Sequence, residues 1–515
     1  MTTTQTSLPL TDQTLSDVSS LARTPDYDRA GVRTGIVHIG VGAFHRAHQA
    51  VYLDDLLAID DAAKEFGLIG VNLLPSDTAF SATLRRQDGL YTVLERRNDG
   101  STEARIIGSI IEVLHSDTSS ADADAAGAGN AAAGTEAVLG TLTDPGIRIV
   151  TLTITEGGYC YDAATRQVNL DDPGLRADIT SPQHPSTAFG FLAEALRRRQ
   201  QAGVAPFTVL SCDNVHANGE LTRTVLSAVA SAQDPEFGQW VAQTVAFPNS
   251  MVDRITPRTS QTDVRDAAFL TGLRDAVPVA CEPFRQWVLE DSFPTGRPAW
   301  EKVGVSLVKD VRPYELMKMR LLNAGHQTIA YAGRLRGHLT GWQACTEPAV
   351  EALLRTYQAQ AESTLTPIPG VDFAEYSATV RQRFANPQIS DTMERLCAQS
   401  STMLATFVLP VIRDLLRAGQ DAAAAIAVVA CWARFLEGTT EDGDPLSIVD
   451  TRSEDLRTRA ARHDIDLLAV IRDNPMFTGL EDDASFIGTY QRLLQSIRQR
   501  GLTQALLEHG VITLP

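Results

Sequence analysis

The spacing of apolar residues changes character once along this chain. Before about residue 307, short β-branched runs alternate with helical stretches; from about residue 311, helical spacing continues to the C-terminal region. Gly35-Ile36-Val37-His38-Ile39-Gly40 reads as a buried strand, and a helical pattern follows the next few residues through Leu57. A second strand, Phe66–Val71, comes at the distance a strand–helix–strand unit requires. Further buried strands are expected at Arg148–Ile154 and Pro206–Leu210. Tyr314–His326 reads as one helix, and the long helix it opens ends at Arg334 and Gly337. Amphipathic helices are expected at 346–363, 373–384, 403–418, 420–436 and 484–499, with Ala422–Trp432 apolar on nearly every side and therefore a core helix. The predicted architecture is an α/β N-terminal Rossmann-type domain, 34–307, plus a mostly α-helical C-terminal domain, 308–515, after a Thr/Ser/Asp-rich N-terminal arm, 1–33, with one short helix. Ser119–Thr135 is low-complexity and reads as a surface insertion or linker. No repeat of 20–50 residues is apparent.

Bulk properties narrow the function. A chain of 515 residues is too long for one ordinary core and should hold two domains or three. Its 43% hydrophobic and 21% charged residues are those of a globular protein. A net charge of −18 argues against nucleic acid and anionic membrane as partners, because both repel an acidic surface. No window reaches the roughly 18 apolar residues of a membrane span, and Met1–Ser20 lacks a signal-peptide core. The six scattered cysteines form no CxxC pair, so free thiols in a reducing compartment are expected rather than disulfides or a zinc site. A cytoplasmic enzyme or binding protein follows, with a monomer as the expected state.

Two stretches carry candidate chemistry. The first is Gly40-Val41-Gly42-Ala43-Phe44-His45 after the first strand. Strand, glycine turn and helix open a nucleotide-binding unit, where Gly40, Gly42, Ala43 and Phe44 would let the backbone approach a pyrophosphate. The match to GxGxxG is partial, because His45 stands at the third glycine position; a plain tight turn is the competing explanation. Beyond the second strand, Asp77 would bind the ribose of NAD and repel the extra phosphate of NADP, unless it merely caps the next helix. NAD is therefore favoured over NADP. Glu156 and Asn214 follow the third and fourth predicted strands, where open α/β sheets bind ligands, with turn chemistry as the alternative.

The second stretch is the helix Tyr314–His326. At about 100° per residue, with Lys318 at zero, Glu315 falls near 60°, His326 near 80° and Asn323 near 140°. These polar groups share roughly one side among Leu and Met. Apolar surroundings disfavour a charged lysine, which moves it towards proton acceptance. The alternative is an amphipathic helix with its polar side in water. A ligand between the two domains would fit the position of Lys318 near their junction.

Taken together, residues 35–48, Gln87-Asp88-Gly89-Leu90-Tyr91, Thr155-Glu156-Gly157-Gly158-Tyr159, Ser211-Cys212-Asp213-Asn214, Asn249–Pro257, Glu282-Pro283-Phe284 and Lys318-x4-Asn323-x2-His326 resemble the polyol-specific long-chain dehydrogenases. The resemblance runs from about Gly35 to the C-terminal region. It implies a zinc-independent, NAD(P)-dependent alcohol dehydrogenase acting on a small polyol or ketose. Carried over by position, Lys318 is the general base, Asn214 and Asn323 hold the alkoxide, and Glu315 conducts the proton away. His326 and Arg395 bind substrate hydroxyls, and Asp253 assists the same site. The family's usual Asn-Gly-Ser-His is Asn323-Ala324-Gly325-His326 here, and a basic substrate-contacting residue is replaced by Met403. Oxidation of D-mannitol to D-fructose is the leading expectation, with D-arabinitol 4-dehydrogenase and fructuronate (D-mannonate) reductase activities as alternatives. A non-catalytic nucleotide-binding protein is the reading from another class.

Overall fold

The structure, a computed structural model, describes residues 8–116, 131–162, 165–389 and 391–514. Most of the low-complexity segment, residues 119–130, lies outside them, and Ala131–Thr143 is a helix. The chain divides into two compact units, Met1–Arg97 with Ser101–Val311, and Asn98–Gly100 with Arg312–Pro515.

The first unit is built on five parallel strands: β1 (Thr34–Ile39), β2 (Gly67–Asn72), β3 (Ile110–His115), β4 (Ile149–Leu152) and β5 (Thr208–Ser211), in the spatial order β5-β4-β1-β2-β3. The chain runs outward from β1 in one direction and later returns to its other side, so the order reverses between β1 and β4. That reversal is where doubly wound sheets bind nucleotides. Both faces of the sheet are covered, which explains the nearly continuous apolar runs. Val37, Ile39, Ile69, Val71, Val150 and Leu152 belong to one core, shared with Phe189, Leu192, Val225 and Val229 from helices Ala188–Gln201 and Asn218–Gln233. Ile36, Leu68 and Leu210 belong to the opposite core, with helix Gln49–Ile59 and the buried Trp287 and Trp300.

A mixed four-stranded sheet (Ala22–Arg23, Thr102–Ile107, Tyr91–Arg96 and Val279–Cys281) adjoins this core, and no reading of the sequence anticipated its hairpin. Within the stretch expected as an arm, Leu10 is buried with Leu90, Ile106 and Leu273, and Ala22–Arg23 pairs with Thr102–Ile107. A third sheet joins β6 (Ser250–Asp253), β7 (Gln286–Glu290) and β8 (Ser306–Val308).

Several of the quoted motifs act as staples between these pieces. The buried Arg254 guanidinium donates to the carbonyls of Glu282 (2.9 Å) and Ala47 (2.6 Å) and pairs with Glu95. Asn249 donates twice to the Glu290 carboxylate and accepts from the amides of Gly219 (2.9 Å) and Glu220 (3.2 Å). Gln87 and Thr92 are tied to Asp275. These groups are satisfied, as most buried polar atoms are, save the Thr92 hydroxyl.

The second unit is helical. The expected segments appear as Pro348–Glu362, Phe373–Phe384, Ala423–Phe435 and Ala484–Arg500, and Trp432 of the core helix is fully buried with its Nε1 donating to Ser400. Two expectations are corrected. The helix read over 314–326 is an α-helix at Arg312–Lys318, a π-helical turn at Met319–Asn323 and a second α-helix at Ala324–Leu335. The one read over 403–418 is likewise divided, by a π turn at Leu404–Val408. Side-chain periodicity reports the helical face but not one extra residue in a turn. No helix among the described residues is long and apolar enough to cross a membrane.

Candidate active site

The glycine turn lies at the carboxyl end of β1. Gly40 has φ +96°, and a Cβ there would stand 2.2 Å from the Thr153 carbonyl oxygen, so only glycine fits. Gly42 differs: a Cβ would meet nothing closer than the Gly40 oxygen at 3.9 Å, and the space before it is open. Asn72, at the end of β2, accepts from the Val41 amide (2.8 Å) and donates to Ser81 (3.0 Å), fixing the turn to the sheet. Ala43 and Phe44 begin a short helix, Ala43–Ala47, whose first N–H groups have no partner within it. This open, glycine-lined turn at the reversal point suits a pyrophosphate.

His45 fills the place of the third glycine by an unforeseen device. Its ring is fully buried and stacks on that of His38, 3.4 Å apart and 10° from parallel. His38 Nε2 lies 2.9 Å from the Thr153 hydroxyl and 3.1 Å from the Gly40 carbonyl, to which that hydroxyl donates at 2.7 Å. Its Nδ1 meets the Thr151 hydroxyl at 2.7 Å. Phe44 stacks on His48, whose Nε2 donates to the Gln286 carbonyl (2.8 Å). Burial pushes His38 and His48 down to about 3 and lowers His45 as well, so all three rings stay neutral.

Asp77 closes the short turn Pro75–Asp77 beyond β2. Its side chain makes no capping bond to the helix Thr78–Arg86, and its contact is the Ser76 hydroxyl at 3.4 Å. The capping alternative is therefore not what this carboxylate does.

Two expected residues of this unit follow neighbouring strands, and a third ends a strand of another sheet. Glu156 is exposed beyond β4, Asn214 is exposed beyond β5, and Asp253 ends β6, buried. The Asp213 carboxylate accepts from the amides of Ile154 (3.1 Å) and Thr155 (2.9 Å) and from the Tyr159 hydroxyl (2.8 Å). Tyr159 also meets Ser211 at 2.6 Å, and Ser211 accepts from the Asp213 amide at 3.3 Å. Asn218 donates to the carbonyls of Asp213 (3.1 Å) and Ser250 (2.9 Å) and accepts from the Ser250 amide (2.9 Å), adding the start of β6. Desolvation raises the Asp213 carboxyl, opposed by these hydrogen bonds. Thr155 adopts φ 63° and ψ 165°, a region nearly reserved for glycine, at a cost of about 1–3 kcal/mol.

In the second unit, Lys318 is buried while Glu315, Asn323 and His326 are half-buried. The π turn decides their alignment. It closes with the Ala324 amide on the Met319 carbonyl, and this wider i→i+5 turn brings residues five apart closer to one side than α-helical winding does. Lys318 and Asn323 are thus turned towards one side, whereas an α-helix would separate them by about 140°. The turn is held by buried side chains. Gln358 donates to the Leu321 carbonyl at 3.2 Å, and Arg320 donates to the Thr364 carbonyl at 2.9 Å and pairs with Asp414.

His326 stacks on Phe384 with centroids 4.0 Å apart. Its Nε2 lies 4.0 Å from Asp391, which also receives both hydrogen bonds of an Arg395 fork, at 2.6 and 2.5 Å. One carboxylate therefore joins the two expected hydroxyl-binding residues. Asp391 was missed, although its i, i+4 spacing to Arg395 is a visible signal. Met403, half-buried, directly precedes the second π turn. Among the described residues, no group of three or more His, Cys, Asp or Glu is placed to hold a metal ion.

A Rossmann-type nucleotide-binding unit joined to a helical unit carrying a buried lysine is an architecture of the dehydrogenase class. Family models for the mannitol dehydrogenase Rossmann domain and the mannitol dehydrogenase C-terminal domain match residues 34–302 and 310–498, and the chain belongs to the mannitol dehydrogenase family. It is 42% identical over 441 residues to mannitol 2-dehydrogenase of Cereibacter sphaeroides, covering 85% of this chain and 88% of that one. It is 38% identical over 507 residues to a mannitol dehydrogenase of Saccharomyces cerevisiae, 98% of each. Among solved structures, the Pseudomonas fluorescens mannitol 2-dehydrogenase ternary complex with NAD and D-mannitol is similar with TM-score 0.83 and 38% identity, over 98% of this chain and 99% of that one. A D-sorbitol dehydrogenase in substrate-free form is similar with TM-score 0.86 and 33% identity, over 96% and 99%.

Proposed function

We propose that this chain oxidises D-mannitol to D-fructose, reversibly and without zinc, with Lys318 as the base. Its enzyme class is that of an NAD-dependent polyol dehydrogenase. The observation that supports the proposal is the π turn between Lys318 and Asn323, which turns the two towards one side, in a family member whose solved relative holds NAD and D-mannitol. Bound NAD supplies the hydride acceptor. Gly40, Gly42, Ala43 and Phe44 would hold its pyrophosphate, Asp77 its ribose, and Glu156 would border it from the end of β4. The Lys318 amine takes the hydroxyl proton, the carbon loses hydride, and the C–O bond becomes a carbonyl. Asn214 and Asn323 donate to the oxygen as charge develops, where preorganised donors act most strongly. Glu315, one turn before Lys318, passes the proton to solvent. His326 and Arg395, joined by Asp391, read neighbouring hydroxyls, and Asp253 supports the site.

Met403 offers no strong hydrogen bond to a terminal hydroxyl. Discrimination at the far end of the substrate should therefore be loose. D-Arabinitol should be oxidised within about tenfold of D-mannitol in kcat/KM, because one weak end contact is worth only about 1 kcal/mol. The similarity to a D-sorbitol dehydrogenase makes D-sorbitol the competing hexitol. A panel of these polyols, D-fructose and D-fructuronate with NAD(H) and NADP(H), followed at the nicotinamide absorbance, tests the assignment. D-Mannitol with NAD should lead, and Met403→Lys should shift the ratio towards hexitols. An inert D-mannitol beside efficient turnover of another substrate would reject the named reaction.

A further inference from the structure

Among the buried ionisable clusters of the first unit that the proposed chemistry leaves unused, one lies beside an expected site residue. Asp213 immediately precedes Asn214, and its side chain is turned away into the sheet end, with 8% of the residue exposed. There it gathers the amides of Ile154 and Thr155 and the hydroxyl of Tyr159. The Tyr159 hydroxyl donates to Asp213 and accepts from Ser211, while Ser211 receives the Asp213 amide, so the donors and acceptors close a ring. Asn218 then clamps the carbonyl of Asp213 to both backbone groups of Ser250, where β6 begins.

Two features distinguish this from ordinary turn chemistry. The threonine it restrains occupies a backbone region that favours glycine, which requires surroundings that over-determine it. The restrained residues also flank three expected site residues: Thr155 precedes Glu156, Asp213 precedes Asn214, and Ser250 opens the strand that ends in Asp253.

We propose that Asp213 is a positioning residue for polyol oxidation: through its bonds to Ile154, Thr155 and Tyr159 it locks the ends of β4 and β5 so that Asn214 meets the reacting oxygen. It acts through Asn214 and touches no substrate. The inference rests on the reading of Asn214 as a donor to that oxygen. Asparagine at 213 keeps the size but replaces one acceptor oxygen with a donor facing N–H or O–H groups. The strand ends would then relax, and a displacement near 1 Å at a reacting group lowers turnover by about 10²-fold.

The test is a double-mutant cycle in the full-length enzyme with NAD and its best polyol, reading kcat and KM separately. Asp213→Asn should lower kcat by about 10- to 100-fold with KM for NAD within about threefold. In an Asn214→Ala background the same change should cost under about threefold, because the residue it positions is gone. Tyr159→Phe, which removes the hydroxyl's bonds to Asp213 and Ser211 without opening a cavity, should show the same pattern at smaller amplitude and decides the matter if Asp213→Asn does not fold. A near-normal kcat, or losses that multiply with Asn214→Ala, would overturn the positioning role. A normal rate for Asn214→Ala alone would instead remove the oxygen-donor reading on which it stands.

Discussion

His38, His45 and His48 show how single residues replace a glycine-based motif. A glycine at position 45 would permit close packing of helix on sheet; here stacked neutral rings fill the space, and His38 also fixes the Gly40 carbonyl. This has a consequence for stability. His38 and His48 are held down to about 3 when folded and titrate near 6.5 when unfolded. The unfolded chain therefore binds more protons below about pH 6.5, so their stabilising contribution is complete above that pH and is lost as pH falls towards 3. Each ring should cost a little over 1 kcal/mol per pH unit in that window. His48→Gln retains a donor for the Gln286 carbonyl but removes one titration. Between pH 7 and pH 5 it should lose about 2 kcal/mol less stability than the parent, measured by urea unfolding. Equal losses in both proteins would show that His48 is not kept neutral by folding.

Among elements, the glycine turn yields the sharpest contrast. Gly40→Ala places a methyl against the Thr153 carbonyl at a positive φ, so both melting temperature and NAD binding should fall. Gly42→Ala meets no protein atom nearer than 3.9 Å, so the unliganded protein should melt with the parent. Its affinity for NAD should nevertheless drop at least about tenfold if the pyrophosphate packs there, since the motif's second glycine allows that approach. Calorimetric titration with NAD separates the two effects. Unchanged affinity in Gly42→Ala would move the cofactor elsewhere. Four strands of the central sheet were legible because burial on both faces makes their runs apolar. β3 was not read, since it lies at the sheet edge and carries the exposed Glu112. The hairpin Tyr91–Ile107 escaped although residues 97–101, which join its strands, hold the Asp99-Gly100 pair that marks such turns. The π turns were hidden for another reason. An inserted residue preserves the apolar stripe on either side, and only the five-residue spacing of Lys318 and Asn323 hints at it.

At the scale of the molecule, the two units contribute different chemistry to the proposed reaction. The first carries the nucleotide turn, Asp77, Asn214 and Asp253; the second carries Lys318, Glu315, Asn323, His326 and Arg395. Fold class was readable from periodicity, whereas the roles of these residues came from resemblance, because a lysine on an amphipathic helix is common. What sequence could not supply was the support: Asp213 reaches Ile154, Thr155 and Tyr159 across a sheet end, and Asp391 approaches His326 across the fold, and no spacing rule encodes either. The net charge of −18 is consistent with a small neutral substrate, which needs no electrostatic attraction to bind. The central claim is that Lys318 takes the proton from a polyol as hydride passes to NAD. It is tested most directly by the pH dependence of kcat/KM for D-mannitol oxidation in the parent and in Lys318→Ala, with NAD affinity measured alongside. The parent should rise with pH through one ionisation to a plateau. Lys318→Ala should fall by about 10²- to 10⁴-fold or more, lose that ionisation, and bind NAD within about threefold of the parent. A Lys318→Ala enzyme that keeps both the rate and the pH profile would contradict the account.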